Sequence, residues 1–323
     1  MKKTFKTLDE QITILQNKGL IINDINFAKD ILLRENYFFL MGYRHLFFKS
    51  EKDRMFIEGT SFDELYAVFN FDRQLRNILF KNILIVENNA KSIFSYQLSK
   101  NYGYKESDYL NPKNFNRDSN RRRQVNDLLK KIQRQIRING GQHQATMHYL
   151  NNYGYLPLWI VVKVLSFGIV SELFTILKND DKQAIADIYK ISVSDLELYF
   201  PIVANYRNLC AHEDIILDHR SQRAILDTKY HNYLNIPKMD GEYIYGKDDL
   251  FALIVILKRV LRDDDFHLLI NEISYELDIL EGKLKSISIN KVMDLMGFPQ
   301  NYKNILRTDV WWKKKNYLMK KKT

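Results

Sequence analysis

The chain has 323 residues, 46% of them apolar and 27% charged, with only 12 glycines and 5 prolines; a sizeable core is attainable, and the scarcity of turn formers disfavours a β-sandwich and favours long helices. A net charge of +10 with many tyrosines and phenylalanines suits a polyanion partner, since phosphates attract cations and bases stack on rings, although an AT-rich genome inflates the same residue types. The single cysteine, Cys210, excludes an internal disulfide and fits a reducing cytosol.

In chain order, Met1-Lys2-Lys3-Thr4 is not followed by an apolar run, so no signal peptide is expected. Thr7-Leu8-Asp9-Glu10 fits a capping box opening a helix that stops near Gly19, and a second helix is expected from Asn26 to about Tyr37. Tyr37 to Phe48 is dense in aromatics and is broken by Gly42. Ser61-Phe62-Asp63-Glu64 is a second capping box, opening a long amphipathic helix through Leu65, Phe69, Leu75 and Leu79, with a bend expected around Asn88-Asn89. Tyr102 to Asn116 reads as loop.

A strongly basic helix is expected from Arg117 to Arg137, carrying Arg117, Arg121, Arg122, Arg123, Lys130, Lys131, Arg134 and Arg137. These eight cations are candidate RNA-phosphate contacts, with a solvated charged face as the competing reading. Leu158 to Leu177 reads as one buried helix. The nearby apolar run Leu156 to Val170 is too short to span a bilayer and contains Lys163. No membrane association is therefore expected, and the location read from the sequence is cytoplasmic. Asp195 to Ala211 is expected as a helix, Gly241 to Gly246 as a short hairpin or turn, and Leu250 to Leu261 as an apolar helix. The tail carries Trp311-Trp312-Lys313-Lys314-Lys315 and Lys320-Lys321-Lys322. The fold class expected is all-α. The segments expected are 1–55 (N-terminal helical), 56–270 (core, with a basic insertion around 105–150) and 271–323 (basic helical extension).

One stretch combines residue types that can handle RNA. Arg207-Asn208-Leu209-Cys210-Ala211-His212 places a guanidinium, which can hold a phosphate, five residues before an imidazole, which can move a proton near neutral pH. The bare pattern R-x4-H is common. A purely structural alternative pairs Arg207 with Glu197 or Asp214 and leaves His212 as a helix-end residue.

With this motif the chain resembles the AbiD/AbiF-like branch of the bacterial Abi (abortive infection) family, whose members are similar to HEPN-type helical ribonucleases. The resemblance runs through Leu8-Asp9-Glu10-Gln11, Lys18-Gly19-Leu20-Ile21-Ile22, Asn36-Tyr37, Gly42-Tyr43-Arg44 and Phe71-Asp72-Arg73-Gln74-Leu75-Arg76. It continues through Leu156-Pro157-Leu158-Trp159, Leu165-Ser166-Phe167-Gly168, the motif itself, Tyr245-Gly246-Lys247-Asp248-Asp249-Leu250 and Met296-Gly297-Phe298-Pro299. Two positions depart from it: Ile215 stands where many relatives carry arginine, and Lys163 where many carry an acid.

The resemblance implies a HEPN-like helical bundle with N- and C-terminal helical extensions, a homodimer that brings two R-x4-H motifs together, and metal-independent RNA cleavage by a growth-arresting toxin. It also implies restraint by a small structured antitoxin RNA. No metal or other cofactor is expected. In such chemistry the 2′-hydroxyl attacks the adjacent phosphate, giving 2′,3′-cyclic phosphate and 5′-hydroxyl ends. His212 is the candidate for proton transfer, Arg207 for the phosphate, and Asn208 for orienting the imidazole from the same helix face. Residues five apart lie about 140° apart on a helix, so a composite site at a dimer seam or a distorted helix end is required.

Arg73, Arg76 and Glu87 on the long helix are candidate supporting residues, with intrahelical ion pairs as the alternative. Cys210 is read as a small core residue, His143 and His148 as lacking a third metal ligand, and Asp263-Asp264-Asp265 with His267 as an acidic helix end or loop. The alternative function is a non-catalytic module that binds a small structured RNA, and behind it a helical scaffold with no nucleic-acid role.

Overall fold

The computed structural model describes residues 4–50 and 52–307. They form an all-α fold. Thr7 caps α1 (Leu8–Asn17) with the reciprocal Glu10 contact, and Asp24 caps α2 (Ile25–Glu35). A short α3 (Tyr37–Leu40) leads into a 3-10 helix at Met41–Phe47 that runs through Gly42 rather than breaking there. Gly42 serves a different purpose, because a side chain on it would collide with Ile215.

Ser61 and Glu64 form the second capping box, and α4 (Phe62–Tyr102) then continues unbroken for 41 residues, straight through Asn88-Asn89. The stretch read as loop contains α5 (Glu106–Tyr109) and a 3-10 turn at Pro112–Asn114. The basic helix α6 (Arg122–Asn139) starts five residues later than expected, leaving Arg117 ahead of it. It buries Val125, Leu128, Leu129 and Ile132 along one stripe, then passes through a 3-10 turn, Gly140–Gln142, into α7 (Gln144–Tyr153).

The expected helix from Leu158 to Leu177 is two helices, α8 (Leu158–Val161) and α9 (Phe167–Ile176). Ser166 divides them, because its hydroxyl accepts the Ile169 amide and caps α9 instead of continuing the preceding turn. Then follow α10 (Asn179–Tyr189), α11 (Val193–Ala211) and α12 (Lys229–Tyr233).

The short hairpin pairs β1 (Lys238–Met239) with β2 (Glu242–Tyr243). Its turn is Asp240-Gly241, both at positive φ as a type I′ turn needs, so it lies ahead of the Tyr243-Ile244-Tyr245 segment. The chain ends in α13 (Leu250–Val260), α14 (Asp263–Glu281), α15 (Ile289–Leu295) and a 3-10 helix at Tyr302–Arg307. Asp263-Asp264-Asp265 form the first turn of α14, where acidic side chains complement the helix dipole.

Helix α4 is the axis of the molecule, with α14 along one flank and α11 along another. Contacts between Phe94 and Phe200, Glu87 and Arg207, and Arg76 and Asp214 set the α4–α11 pair antiparallel. Helix α9 packs on α11 through Phe167 and Phe174 around Phe200, and α6 lies against α9. The N-terminal helices are tied to the start of α4 by Ile21 and Ser61, and Arg73 pairs with Glu35. The boundary expected at residue 270 falls inside α14. No helix among the described residues is long and apolar enough to cross a membrane. The lysine tail lies outside the described residues.

Candidate functional site at the end of the motif helix

Helix α11 turns Leu196, Tyr199, Val203, Tyr206 and Cys210 into the core and leaves Asn208 and His212 exposed. Pro201 sits inside it, where its ring and missing N–H interrupt the hydrogen-bond ladder ahead of the motif. The helix stops abruptly after Ala211. Glu213 takes φ +57, and the Asp214 amide donates back to the Leu209 carbonyl at 3.0 Å, the signature of a Schellman stop with a residue other than glycine at its left-handed position.

The chain beyond is clamped to α4. The fully buried Asp72 carboxylate accepts the Tyr43 hydroxyl at 2.6 Å and the Ile216 amide at 3.3 Å, and it pairs with Arg76. Arg76 in turn donates to the Asp214 carbonyl at 3.4 Å. The segments Gly42-Tyr43 and Asp72 to Arg76, far apart in sequence, thus meet just past His212 and fix how the motif helix ends.

Arg207 points back along α4. Its Nε donates to Glu87 at 3.2 Å, and the guanidinium lies over the Phe80 ring at 5.6 Å. Glu87 is buried and also accepts from Lys91 at 2.6 Å. Two cations therefore share one carboxylate, leaving a net positive charge. The carboxylate that holds Arg207 is neither Glu197, which pairs with Lys182, nor Asp214.

His212 caps the helix and borders a cleft of about 380 Å³. The same cleft is lined by Arg34, Glu35, Tyr43, Arg73, Arg76 and Glu213. Among the described residues nothing hydrogen-bonds or pairs with its imidazole. The Asn208 carbonyl accepts the His212 amide, but the Asn208 side chain makes no bond to the ring. Within one chain, then, Arg207 and His212 face different neighbours, as their spacing requires.

The three supporting candidates divide. Arg76 is committed to its buried clamp. Glu87 forms an intrahelical pair with Lys91 and a tertiary pair with Arg207. Arg73 stands over Phe69 at 4.7 Å and donates to both oxygens of Glu35, holding that carboxyl below the usual carboxylate range. Sequence reasoning missed Tyr43, Asp72 and Lys91, although the i,i+4 spacings Asp72–Arg76 and Glu87–Lys91 were a signal for two of these pairings.

The basic helix lies elsewhere, and its cleft of about 470 Å³ shares no lining residue with the one beside His212. Arg117, Arg122, Arg123, Lys130, Lys131, Arg134 and Arg137 are exposed. Arg121 is half-buried and donates to the Thr175 carbonyl, Lys131 pairs with Glu172, and Arg123 with Asp127. Cys210 is buried, its thiol pushed up to about 12 by that burial, which argues against a thiolate nucleophile. No group of three or more His, Cys, Asp or Glu among the described residues is placed to hold a metal ion.

Together these features define an all-α protein whose motif helix ends at a histidine-edged cleft lined by paired arginines and carboxylates. The chain belongs to the Abi-like protein family: the family model matches residues 30–218, more than half of its length. The match takes in the Tyr43–Asp72–Arg76 clamp and the whole R-x4-H motif, and stops before α13. Membership points to abortive infection, a form of defence against phage. No curated protein and no solved structure matches the chain.

Proposed function

We propose that this protein is a metal-independent endoribonuclease of phage defence that works as a homodimer, with Arg207 binding the scissile phosphate and His212 transferring protons. The observation that carries the reading is the setting of Arg207. Glu87 engages only its Nε, so both terminal nitrogens have no partner among the described residues and the planar fork is held in one orientation. A phosphate arriving there meets two cations and one carboxylate.

His212 stands one turn further along, open to solvent and free to exchange protons with RNA. A second copy of the chain, apposed along the exposed Asn208–His212 face, would bring the imidazole of one protomer toward the guanidinium of the other. The 2′-hydroxyl would then lose its proton to one imidazole while a second protonates the leaving 5′-oxygen. Arg207 would stabilise the phosphorane charge between them.

The test is expression of the wild-type chain beside Arg207→Ala and His212→Ala, followed by mapping of cellular RNA ends and by cleavage assays in a chelator. The expected outcome is 2′,3′-cyclic phosphate ends from the wild type and loss of cleavage and toxicity in both variants, with RNA still bound. A cut that needs magnesium and leaves a 5′-phosphate overturns the mechanism. Equal behaviour of His212→Ala and wild type identifies a non-catalytic module that binds a small structured RNA.

A further inference from the structure

Helix α7 and its flanks carry a chain of aromatic rings that the chemistry above does not use. Trp159 lies 6.2 Å from Tyr104, Tyr104 5.5 Å from Tyr155, Tyr155 6.3 Å from Tyr153, and Tyr153 5.2 Å from Tyr149. His148 closes the row at 6.1 Å from Tyr153. Three of these rings are far more open than packing needs: Tyr104 at 44%, Tyr153 at 57% and Trp159 at 44% of full exposure. Rings of this size are normally buried for the apolar area they offer, so a contiguous exposed row marks a contact surface.

The surroundings identify the occupant. Lys105 stands 5.4 Å over the Tyr155 ring, and Lys163 is exposed one turn beyond Trp159. Helix α7 itself carries no acidic side chain, and the nearby Glu106 carboxylate is engaged by the Leu156 amide at 2.8 Å. One 3-10 turn separates this surface from the end of the basic helix, where Arg134 and Arg137 are exposed, and the Thr146 hydroxyl locks that junction by donating to the Gly140 carbonyl. Cations that can track a backbone thus precede, on the neighbouring helix, rings that can take unpaired bases. A protein partner would be expected to offer acids to these lysines and aliphatic groups to the rings. A nucleic-acid strand meets both demands with one polymer, phosphates outward and base faces inward. Paired bases cannot reach the rings, so the surface selects single strands.

We infer that the Tyr104–Trp159–Tyr153 face is a stacking platform for unpaired bases of RNA, with α6 gripping the adjoining phosphates. The inference rests on the reading of RNA as the substrate and adds to it a preference for single-stranded segments.

The test uses the full chain carrying His212→Ala, so that RNA is bound without being cut. An oligouridylate single strand and an RNA duplex of equal length are titrated by fluorescence anisotropy. Tyr153→Ala and Trp159→Ala are expected to weaken single-strand affinity roughly 5- to 150-fold each, while Tyr153→Phe and Trp159→Phe, which keep a ring, hold it within about twofold. In a chain carrying Trp311→Phe and Trp312→Phe, which leaves Trp159 as the one indole, emission should be quenched by the single strand but not by the duplex. Unchanged affinity in the alanine variants, or a preference for the duplex, overturns the platform. A shift in sedimentation of the alanine variants with RNA affinity intact would assign the face to a second copy instead, and overturns it equally. Should the rings govern binding while the wild-type chain leaves RNA intact, the platform stands and the nuclease reading fails. Should the wild type cut RNA and the ring variants bind it undiminished, the reverse holds.

Discussion

Glu87 is the residue on which the geometry of the motif turns. It is buried and takes Lys91 at 2.6 Å and Arg207 at 3.2 Å, so its charge holds two cations in place. Glu87→Gln keeps the shape but strands the nearly buried Lys91 ammonium, and removing one partner of a buried pair costs about 3 kcal/mol. Arg207→Ala leaves Glu87–Lys91 intact and should cost under about 1.5 kcal/mol, since Arg207 is partly exposed. Urea unfolding of the two variants checks this order; equal losses would remove Glu87 as the anchor. A second buried carboxylate, Asp249, accepts the Gly246 amide at 2.9 Å and the Ala252 amide at 2.9 Å, and is pressed against Gly297. Burial outweighs those amides and pushes it from 3.8 up to about 6. Between those values the folded chain keeps a proton that the unfolded chain has released. Its contribution to stability is therefore complete below about pH 4 and lost as pH rises through about 6. Relative to Asp249→Asn, the wild type should lose up to about 3 kcal/mol across that window, read from unfolding curves at successive pH values.

At the scale of elements, α6 is the one whose role is most open to measurement. Its apolar stripe is satisfied against the fold, while Arg122, Lys130, Arg134 and Arg137 have no partner among the described residues. Their joint replacement by alanine should leave the melting temperature nearly unchanged. If all four touch phosphates, the slope of log affinity against log salt for single-stranded RNA should flatten by about 3. An unaltered slope would make this a solvated face. Local signals located most elements: the capping boxes at Thr7 and Ser61 start α1 and α4 where the residue pattern puts them. Other features depend on groups far away in sequence. Gly42 reads as a breaker until Ile215 is seen lying against it, and Ser166 divides an apolar run only because its hydroxyl finds the Ile169 amide. Arg207 and His212 were legible as a pair by spacing. Glu87 was legible as a supporting residue, but not that it holds Arg207, 120 residues away, because an ion pair across two helices leaves no periodic trace.

On the scale of the whole molecule, everything assembles on α4, which at 1.5 Å per residue is a rod about 60 Å long. Its N-terminal capping glutamate, Glu64, is buried, and one oxygen accepts the Lys285 and Ser286 amides at 2.6 Å each. Its middle is flanked by α11, and the length between them packs on α14. The partners of this rod are thus synthesised long after it. A ribosome that has made α4 and the motif helix has not yet made α14, so the apolar flank of α4 still lacks its cover and Glu64 its two donors. Pairings this distant in sequence also form slowly. The order of emergence therefore splits the molecule in two: a nascent copy already holds Arg207 against Glu87 and the Asp72–Arg76 clamp behind His212, while the start of the rod waits for the last helices to close over it.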